Sequence, residues 1–528
     1  MKRLLLTRIV NYHQIGLKST DVRVRFAPSP TGRLHLGSMK TALFNYLFAR
    51  ANHGAFILRI EDTDQDRIVD GCTEEIQQLL DDYGLKRDEG PKEGGKYGPY
   101  IQSQRKHLYQ EAAQQLIEEG HAYRCFCTPE RLDVIRKTAH QNKATPRYDN
   151  RCRDISKEES HSRRHEPHTI RFKIDSGLVK FQDQNYGTIN YEFDEDGFPT
   201  YHLANVVDDR HMRISHVIRG QEWLASTPKH IRLYEAFHAD VPKWIHLSLI
   251  TRDGKHKLSK RDSDAFVEYY RCEKGYLRMA LLNFLIRNGS GIKQFDSFHF
   301  YTLEDMIKNF DASLIGTRSL QMDTFSLDSY GRRSIRIASY DELFAEIRHF
   351  LSIHLPNCEP HLLSDDYLRK ALDFLMHNEE NFSHLAQLIK PQNGKDRFSF
   401  LFTKPHGAIQ PLPEFGHHGT RRIFDKILQL PDSEWNIRNL QQAAQELGVS
   451  YKKLFHLFRM AVIDNAAGPP VMEIIEFFGV PECRKRIEVQ VNYLDHEDFN
   501  GHHTVDEQIG FNDHVHQRNK KSSTSKTL

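Results

Sequence analysis

The sequence predicts an α/β fold: a doubly wound parallel sheet carrying an insertion, followed by an all-α region. Three observations predict it. Short apolar runs alternate with amphipathic helical stretches from Val22 to Ile250. Residues 145–200 interrupt that rhythm with β-rich segments separated by turn residues. Beyond about residue 262 only helical periodicity remains.

The first twenty residues hold Lys2, Arg3, Arg8 and Lys18 and no acid before Asp21. That is the composition of a mitochondrial targeting segment, over residues 1–20. The alternative is a short extension on a chain that stays in the cytoplasm of a bacterial-type cell. VRVRF (22–26) is expected as a strand, followed by a PSPTGR turn and a helix from about Ser38. Leu43, Phe44, Leu47, Phe48 and Ala51 give that helix one apolar face, and Gly54 ends it. FILRI (56–60) is a second strand, and a helix carrying Ile76, Leu79 and Leu80 stops near Gly84. HTIRFKI and YGTINYEF are hairpin strands of an insertion at about 121–200. SHVIRG, a helix over Thr227–His238 and WIHLSLI restore the alternation.

This first domain is expected over 21–325 and an all-α domain over 326–480. In the latter, Ser339 and Glu342 make a capping box, and Leu343, Phe344, Ile347, Phe350 and Leu351 share a face. Leu454, Phe455, Phe458, Ala461 and Val462 form a second stripe. Pro470 and Gly479 bracket a third helix. Residues 481–528 read as a polar, His-rich tail without structure.

With 528 residues, the chain is long enough for two to four domains. Its 39% hydrophobic content is that of a globular protein. No apolar run approaches the ~20 residues a membrane helix needs. A net charge of +2 neither requires nor excludes nucleic acid, which needs only a local patch. Seven cysteines, an odd number, argue for a reducing compartment over a disulfide framework.

Two segments carry chemistry. FAPSPTGRLHLGS (26–38) joins a strand to a helix, whose unpaired N–H groups and dipole favour an anion. His35 and Gly37 stand at that helix tip. The segment has neither the GK[ST] of a P-loop nor a GxGxxG. KHKLSKRD (255–262) follows the last strand of the alternation, and its lysines three apart suit a polyphosphate. Alone, it also reads as a solvated basic loop.

Together, HLGS and KLSKR resemble the two signatures of class I aminoacyl-tRNA synthetases. RFAPSPTGRLHLG, RIEDTD (59–64), YHLANVVDD (201–209), VIRGQEW (217–223) and KLSKR (257–261) stand in the order and spacing of glutamyl-tRNA synthetases. The resemblance covers roughly residues 22–480. It implies a Rossmann-like catalytic domain, an acceptor-stem-binding insertion and a bacterial-type helical anticodon-binding region. The stretch 447–479, with Lys452, Lys453 and Arg459, carries the last of these.

The resemblance also implies site roles. Arg25, Phe26, Ala27 and Ser29 would line a glutamate pocket. Glu61 would accept from the substrate ammonium. Tyr201, His202, Leu203, Ala204 and Asn205 would close the pocket, and Arg219 would bind a carboxylate. His35, Gly37, Glu222, Lys257, Leu258, Ser259 and Lys260 would bind ATP, with His35, Lys257 and Lys260 stabilising charge during catalysis. Glutamate has two carboxylates and one ammonium, so a site needs two cations and an anion, and an arginine fork suits a carboxylate. Glutamine would set an amide NH₂ against guanidinium donors, an unmatched polar contact of roughly 1–3 kcal/mol. The implied partners are ATP with Mg²⁺, L-glutamate and tRNA(Glu), on a monomer; whether tRNA(Gln) is also charged stays open.

Three positions complicate the pattern. Gln221 stands where many relatives carry Glu, and Ser38 replaces the second His of the general signature. Cys125, Cys127 and Cys152 match positions where some relatives bind zinc, but Asp154 stands where the family's next ligand is His. Zinc or a remnant set of reduced thiols both remain open. Rival readings are weaker. APSPTG speaks against a glutaminyl enzyme, and the long helical half against the tRNA-modifying paralogue. Intact His35, Lys260, Arg25 and Glu61 speak against a catalytically dead tRNA-binding paralogue.

Overall fold

The structure is a computed structural model. It describes residues 22–143, 148–174, 176–193, 201–254, 256, 258, 259, 262–287, 289–389, 398–405 and 409–499. The targeting segment expected at 1–20 lies outside them. Two compact units emerge: one reaches Arg369 and includes Glu379–Gln387, and the other comprises Lys370–Asn378 and the chain from Leu388. The first therefore runs past residue 325.

Its strands are β1 (Arg23–Phe26), β2 (Ala55–Leu58), β3 (Ala122–Cys125), β4 (Thr169–Phe172), β5 (Gly177–Asp183), β6 (Gly187–Phe193), β7 (His216–Gly220), β8 (Lys243–Leu247), β9 (Ile250–Thr251) and β10 (Leu320–Gln321). Its helices are α1 (Leu36–Ala51), α2 (Cys72–Asp82), α3 (Lys106–Glu118), α4 (Pro129–Gln141), α5 (Lys157–Ser162), α6 (Tyr201–His211), α7 (Thr227–Ala236), α8 (Arg278–Ile286), α9 (Leu303–Asn309), α10 (Thr324–Ile337) and α11 (Tyr340–His354). The sequence of α12 (Asp365–Asn378) spans the limit between the units.

β1 and β2 run parallel with Arg23 opposite Ala55, and β7 and β8 run parallel with His216 opposite Lys243. The Ser215 N–H donates to Arg23 O at 3.0 Å, which sets β1 beside β7. Side chains alternate between the two faces of this sheet. Phe56, Leu58, Ile218 and Ile245 join the core built with α1, α8 and α9. Ile57, Val217 and Trp244 join a second core with α3 and α7. Helices on both faces are the expected doubly wound arrangement.

α1 begins at Leu36, two residues before the predicted start, because His35 caps it. It is buried on nearly every side, not on one face: Tyr46, Asn45 and Lys40 are covered as well as the apolar stripe. Gly54 follows the helix, and a Cβ there would lie 2.3 Å from Val22 O, so close backbone approach requires glycine.

The insertion contains two antiparallel pairs. β4 pairs with β3, and β6 pairs with β5, so HTIRFKI and YGTINYEF belong to different pairs. Strands do not end at residue 262: β10 runs parallel to β9, Leu320 opposite Ile250. Ser339 caps α11 by accepting the Glu342 N–H, while the Glu342 carboxylate takes Arg278 at 2.8 Å. A full capping box instead joins Thr302 and Asp305 at α9.

The second unit holds α13 (Gly416–Leu428), α14 (Ile437–Glu446), α15 (Tyr451–Ile463), α16 (Val471–Phe478) and α17 (Val480–Phe499). Leu454, Phe458, Ala461 and Val462 of α15 are buried as predicted, with Phe455 half-buried. Pro470 precedes α16, and Gly479 ends it at φ +79°. α17 overturns part of the expected tail: Cys483, Ile487, Gln490 and Leu494 recur at helical spacing and are buried. Residues 500–528 lie outside the described residues. No helix among the described residues is long and apolar enough to cross a membrane.

Candidate active site

A cleft of about 1260 Å³ opens at the C-terminal ends of β1, β7 and β8 and the N-terminus of α1. That is where parallel α/β sheets hold ligands. It gathers Arg25, Phe26, Ala27, Ser29, His35, Gly37, Glu61, His202, Leu203, Ala204, Asn205, Arg219, Glu222 and Leu258 from segments far apart in the chain. Of the remaining expected residues, Tyr201 opens α6 and Ser259 follows Leu258, while Lys257 and Lys260 lie outside the described residues.

Beneath the floor lies a network of buried charges. Arg25 donates from Nε and Nη2 to the two oxygens of Asp209, at 3.0 and 3.2 Å. Arg59 donates to Asp209 Oδ1 at 2.6 Å and to Glu61 Oε1 at 2.9 Å. Asn205 Nδ2 also donates to Glu61 Oε1, at 3.0 Å. One carboxylate thus holds two arginines, and one arginine holds two carboxylates. Burial pushes the Asp209 carboxyl upward, but Arg25 and Arg59 outweigh it and hold it below the usual range. A second centre fixes α6: Asp208 accepts from Arg105 (2.6 Å), Gln102 (2.8 Å) and Tyr109 (2.8 Å). RIEDTD and YHLANVVDD display Arg59, Asp208 and Asp209, yet their pairing exists only once β2 and α6 meet. Asp62 accepts the Ser103 N–H at 2.7 Å, a structural role within the acidic turn.

Arg219 is held differently. It donates to neutral acceptors: His246 Nε2 (3.2 Å), His230 Nδ1 (3.3 Å), Trp223 O (3.2 Å) and Thr227 Oγ1 (2.7 Å). Its guanidinium also lies 5.0 Å from the Trp244 ring centre. A guanidinium only donates, so His230 Nδ1 accepts and the ring proton sits on Nε2. That nitrogen donates to His202 Nδ1 at 2.9 Å, which places the His202 proton on Nε2. Burial first, then nearby cations, push His202 down to about 4 and His230 well below the ordinary histidine value, so both rings are neutral. Neither His230 nor His246 belonged to the predicted set; both sit in strings without a motif, and only proximity to Arg219 reveals them.

At the helix tip, His35 Nδ1 accepts the Gly37 N–H at 3.1 Å. One turn on, Lys40 donates to Ser248 O and Oγ, both at 3.0 Å, and burial pushes its amine down to about 8. Glu222 stands exposed at the cleft edge, and Gly220 leaves space for its carboxylate: a Cβ there would meet Oε2 at 2.1 Å. Gln221 accepts from Tyr186 OH.

At the end of β3 and in the loops between it and β4, the sulfurs of Cys125, Cys127 and Cys152 lie within 4.8 Å of one another. Tyr148 OH lies 3.2 Å from Cys125 Sγ and 3.3 Å from Cys127 Sγ. Three sulfurs and one oxygen suit a tetrahedral zinc. The oxygen beside these sulfurs is that of Tyr148, which also accepts the Cys152 N–H at 3.1 Å; Asp154 is not among the converging groups.

A doubly wound sheet and an HLGS helix tip around one cleft, with Leu258 of the KLSKR string on its wall, define a class I aminoacyl-tRNA synthetase. Known proteins agree. The family described as tRNA synthetases class I (E and Q), catalytic domain, matches residues 21–328, and an anticodon binding domain matches 423–491. A glutamate–tRNA ligase of Clostridium novyi is 36% identical over 499 residues, 90% of this chain and 99% of that one. One of Clostridium botulinum is 37% identical over 498 residues, with the same coverage. A glutamate tRNA ligase of Elizabethkingia meningosepticum, solved with its amino acid, superposes with a TM-score of 0.71 at 32% identity, covering 90% of this chain and 99% of that one. The chain belongs to the bacterial-type glutamate–tRNA ligase family.

Proposed function

We propose that this cleft activates L-glutamate with ATP and passes the glutamyl group to the 2′-OH of the 3′-terminal adenosine of tRNA(Glu). The observation that carries the proposal is the gathering of two arginines, Glu61 and the His35 helix tip around one space. Arg219 and Arg25 supply the two cations that glutamate requires, and Glu61 supplies the anion. Arg25 keeps its Nη1 outside the Asp209 pair, so it binds a carboxylate without leaving its partner. An ion pair behind the pocket keeps that guanidinium fixed before substrate arrives.

A substrate carboxylate oxygen attacks the α-phosphorus, and pyrophosphate leaves. The 2′-OH oxygen then attacks the acyl carbon, and AMP leaves. Neither step needs a protein nucleophile; catalysis rests on orientation and charge neutralisation. His35, Lys257 and Lys260 hold the phosphates, and Glu222, Gly37, Leu258 and Ser259 bound the nucleotide. Mg²⁺ carried by ATP would neutralise phosphate charge. Purified chain incubated with glutamate, tRNA and labelled pyrophosphate is expected to form labelled ATP; no exchange overturns the proposal.

Three further properties belong to this reading. Residues 1–20 support a mitochondrial matrix location, tested by fusing them to a fluorescent protein. The enzyme acts as a monomer, tested by light scattering. Charging of tRNA(Gln) is decided by parallel aminoacylation of purified tRNA(Glu) and tRNA(Gln).

A further inference from the structure

A carboxylate on the insertion hairpin reaches Arg219 through one imidazole. Asp183 ends β5, and its backbone pairs with Trp244 of β8. Its Oδ1 accepts the N–H groups of Asn185 at 3.0 Å and Tyr186 at 2.8 Å. Those bonds fix the carboxylate in the hairpin turn. Its Oδ2 lies 2.6 Å from His246 Nδ1, and both side chains are fully buried. On the other side of the ring, Nε2 lies 3.2 Å from Arg219 Nε. The guanidinium only donates, so Nε2 accepts and Nδ1 carries the proton that Asp183 receives.

We propose that Asp183 and His246 are positioning residues for Arg219: the carboxylate selects the imidazole tautomer, and the tautomer presents the acceptor that orients the guanidinium toward the substrate carboxylate. The inference rests on the reading of Arg219 as a ligand of glutamate. Neither residue lines the cleft. Asp183 comes from the insertion, outside the five motif strings, so it ties the geometry of that hairpin to the amino-acid pocket.

Asp183→Asn tests the chain of donors. Its amide oxygen keeps the two turn N–H groups, which turns its NH₂ toward His246 Nδ1. The ring proton then moves to Nε2, and a donor faces the donor of Arg219. KM for glutamate is expected to rise about 10–100-fold, the scale typical when an orienting hydrogen bond behind a ligand is lost. KM for ATP stays at the wild-type value. Because Asp183 also shapes the turn, His246→Phe repeats the test without touching it and gives the same rise. The double variant Asp183→Asn with His246→Gln restores an acceptor for Arg219, and its KM for glutamate falls back toward wild type; a packing role would compound the damage instead. Wild-type KM for glutamate in Asp183→Asn and His246→Phe, with Arg219→Ala strongly raised, overturns the positioning role. Wild-type KM in Arg219→Ala overturns the reading beneath it.

Discussion

Arg59, fully buried, donates to Asp209 Oδ1 at 2.6 Å, and the same oxygen receives Arg25 Nε at 3.0 Å. Asp209→Ala would strand two guanidiniums without their shared carboxylate. Removing one partner of a buried ionic cluster costs about 3–5 kcal/mol. Urea denaturation is expected to show that loss, and KM for glutamate to rise because Arg25 loses its anchor. An unchanged midpoint would refute the structural role assigned to this carboxylate.

Acid should weaken the fold before the carboxylates titrate. Burial pushes His202, His216 and His384 down to about 4, and pushes His230 well down too. In the unfolded chain histidine titrates near 6.5. Between those values the unfolded chain binds protons that the folded one refuses. Stability from these groups is full above pH ~6.5 and falls as pH drops toward ~4. Asp209, depressed in the folded state, adds a loss only below its unfolded value of about 3.9. Urea midpoints at neutral pH and at mildly acidic pH test this; a flat profile contradicts it.

Lys260→Ala is expected to slow glutamate-dependent pyrophosphate exchange by about 10²–10³-fold, the scale of one lost charge-stabilising donor. KM for glutamate is expected to stay near wild type, since the proposed role of the lysine is on the phosphates. Equal losses in both parameters would count against that assignment.

Metal analysis of the purified full chain is expected to find about one zinc per molecule, held by Cys125, Cys127, Cys152 and Tyr148. Cys152→Ser should abolish it, and Tyr148→Phe should make it easier to remove with a chelator. Three freely titrating thiols in a zinc-free wild-type protein would establish the remnant alternative.

Much of this was legible in the sequence because its signals are local. Alternating apolar runs place β1, β7 and β8, and the motif strings name most of the cleft. What escaped depends on contacts between distant segments. Arg59 and Asp209 are ordinary charges until β2 and α6 meet. Asp183 and His246 carry no motif, and their alignment appears only when β5 lies along β8. Tyr148 joins three cysteines through chain folding, whereas the resemblance looked only to the position where Asp154 replaces the family's His. α17 was missed for a different reason: its many charges masked the spacing of Cys483, Ile487, Gln490 and Leu494, a helical signal that was present. β10 has two residues, too few for a period.

The cap formed by His35 fixes the polarity of that residue. Its inner nitrogen is committed as an acceptor to the backbone of α1, so its proton resides on the outer nitrogen. In the proposed reaction the imidazole therefore serves as a hydrogen-bond donor through that outer nitrogen. Folding and chemistry also part company at this position: His35→Asn retains a capping oxygen for the helix, yet under the proposed function it is expected to weaken ATP binding.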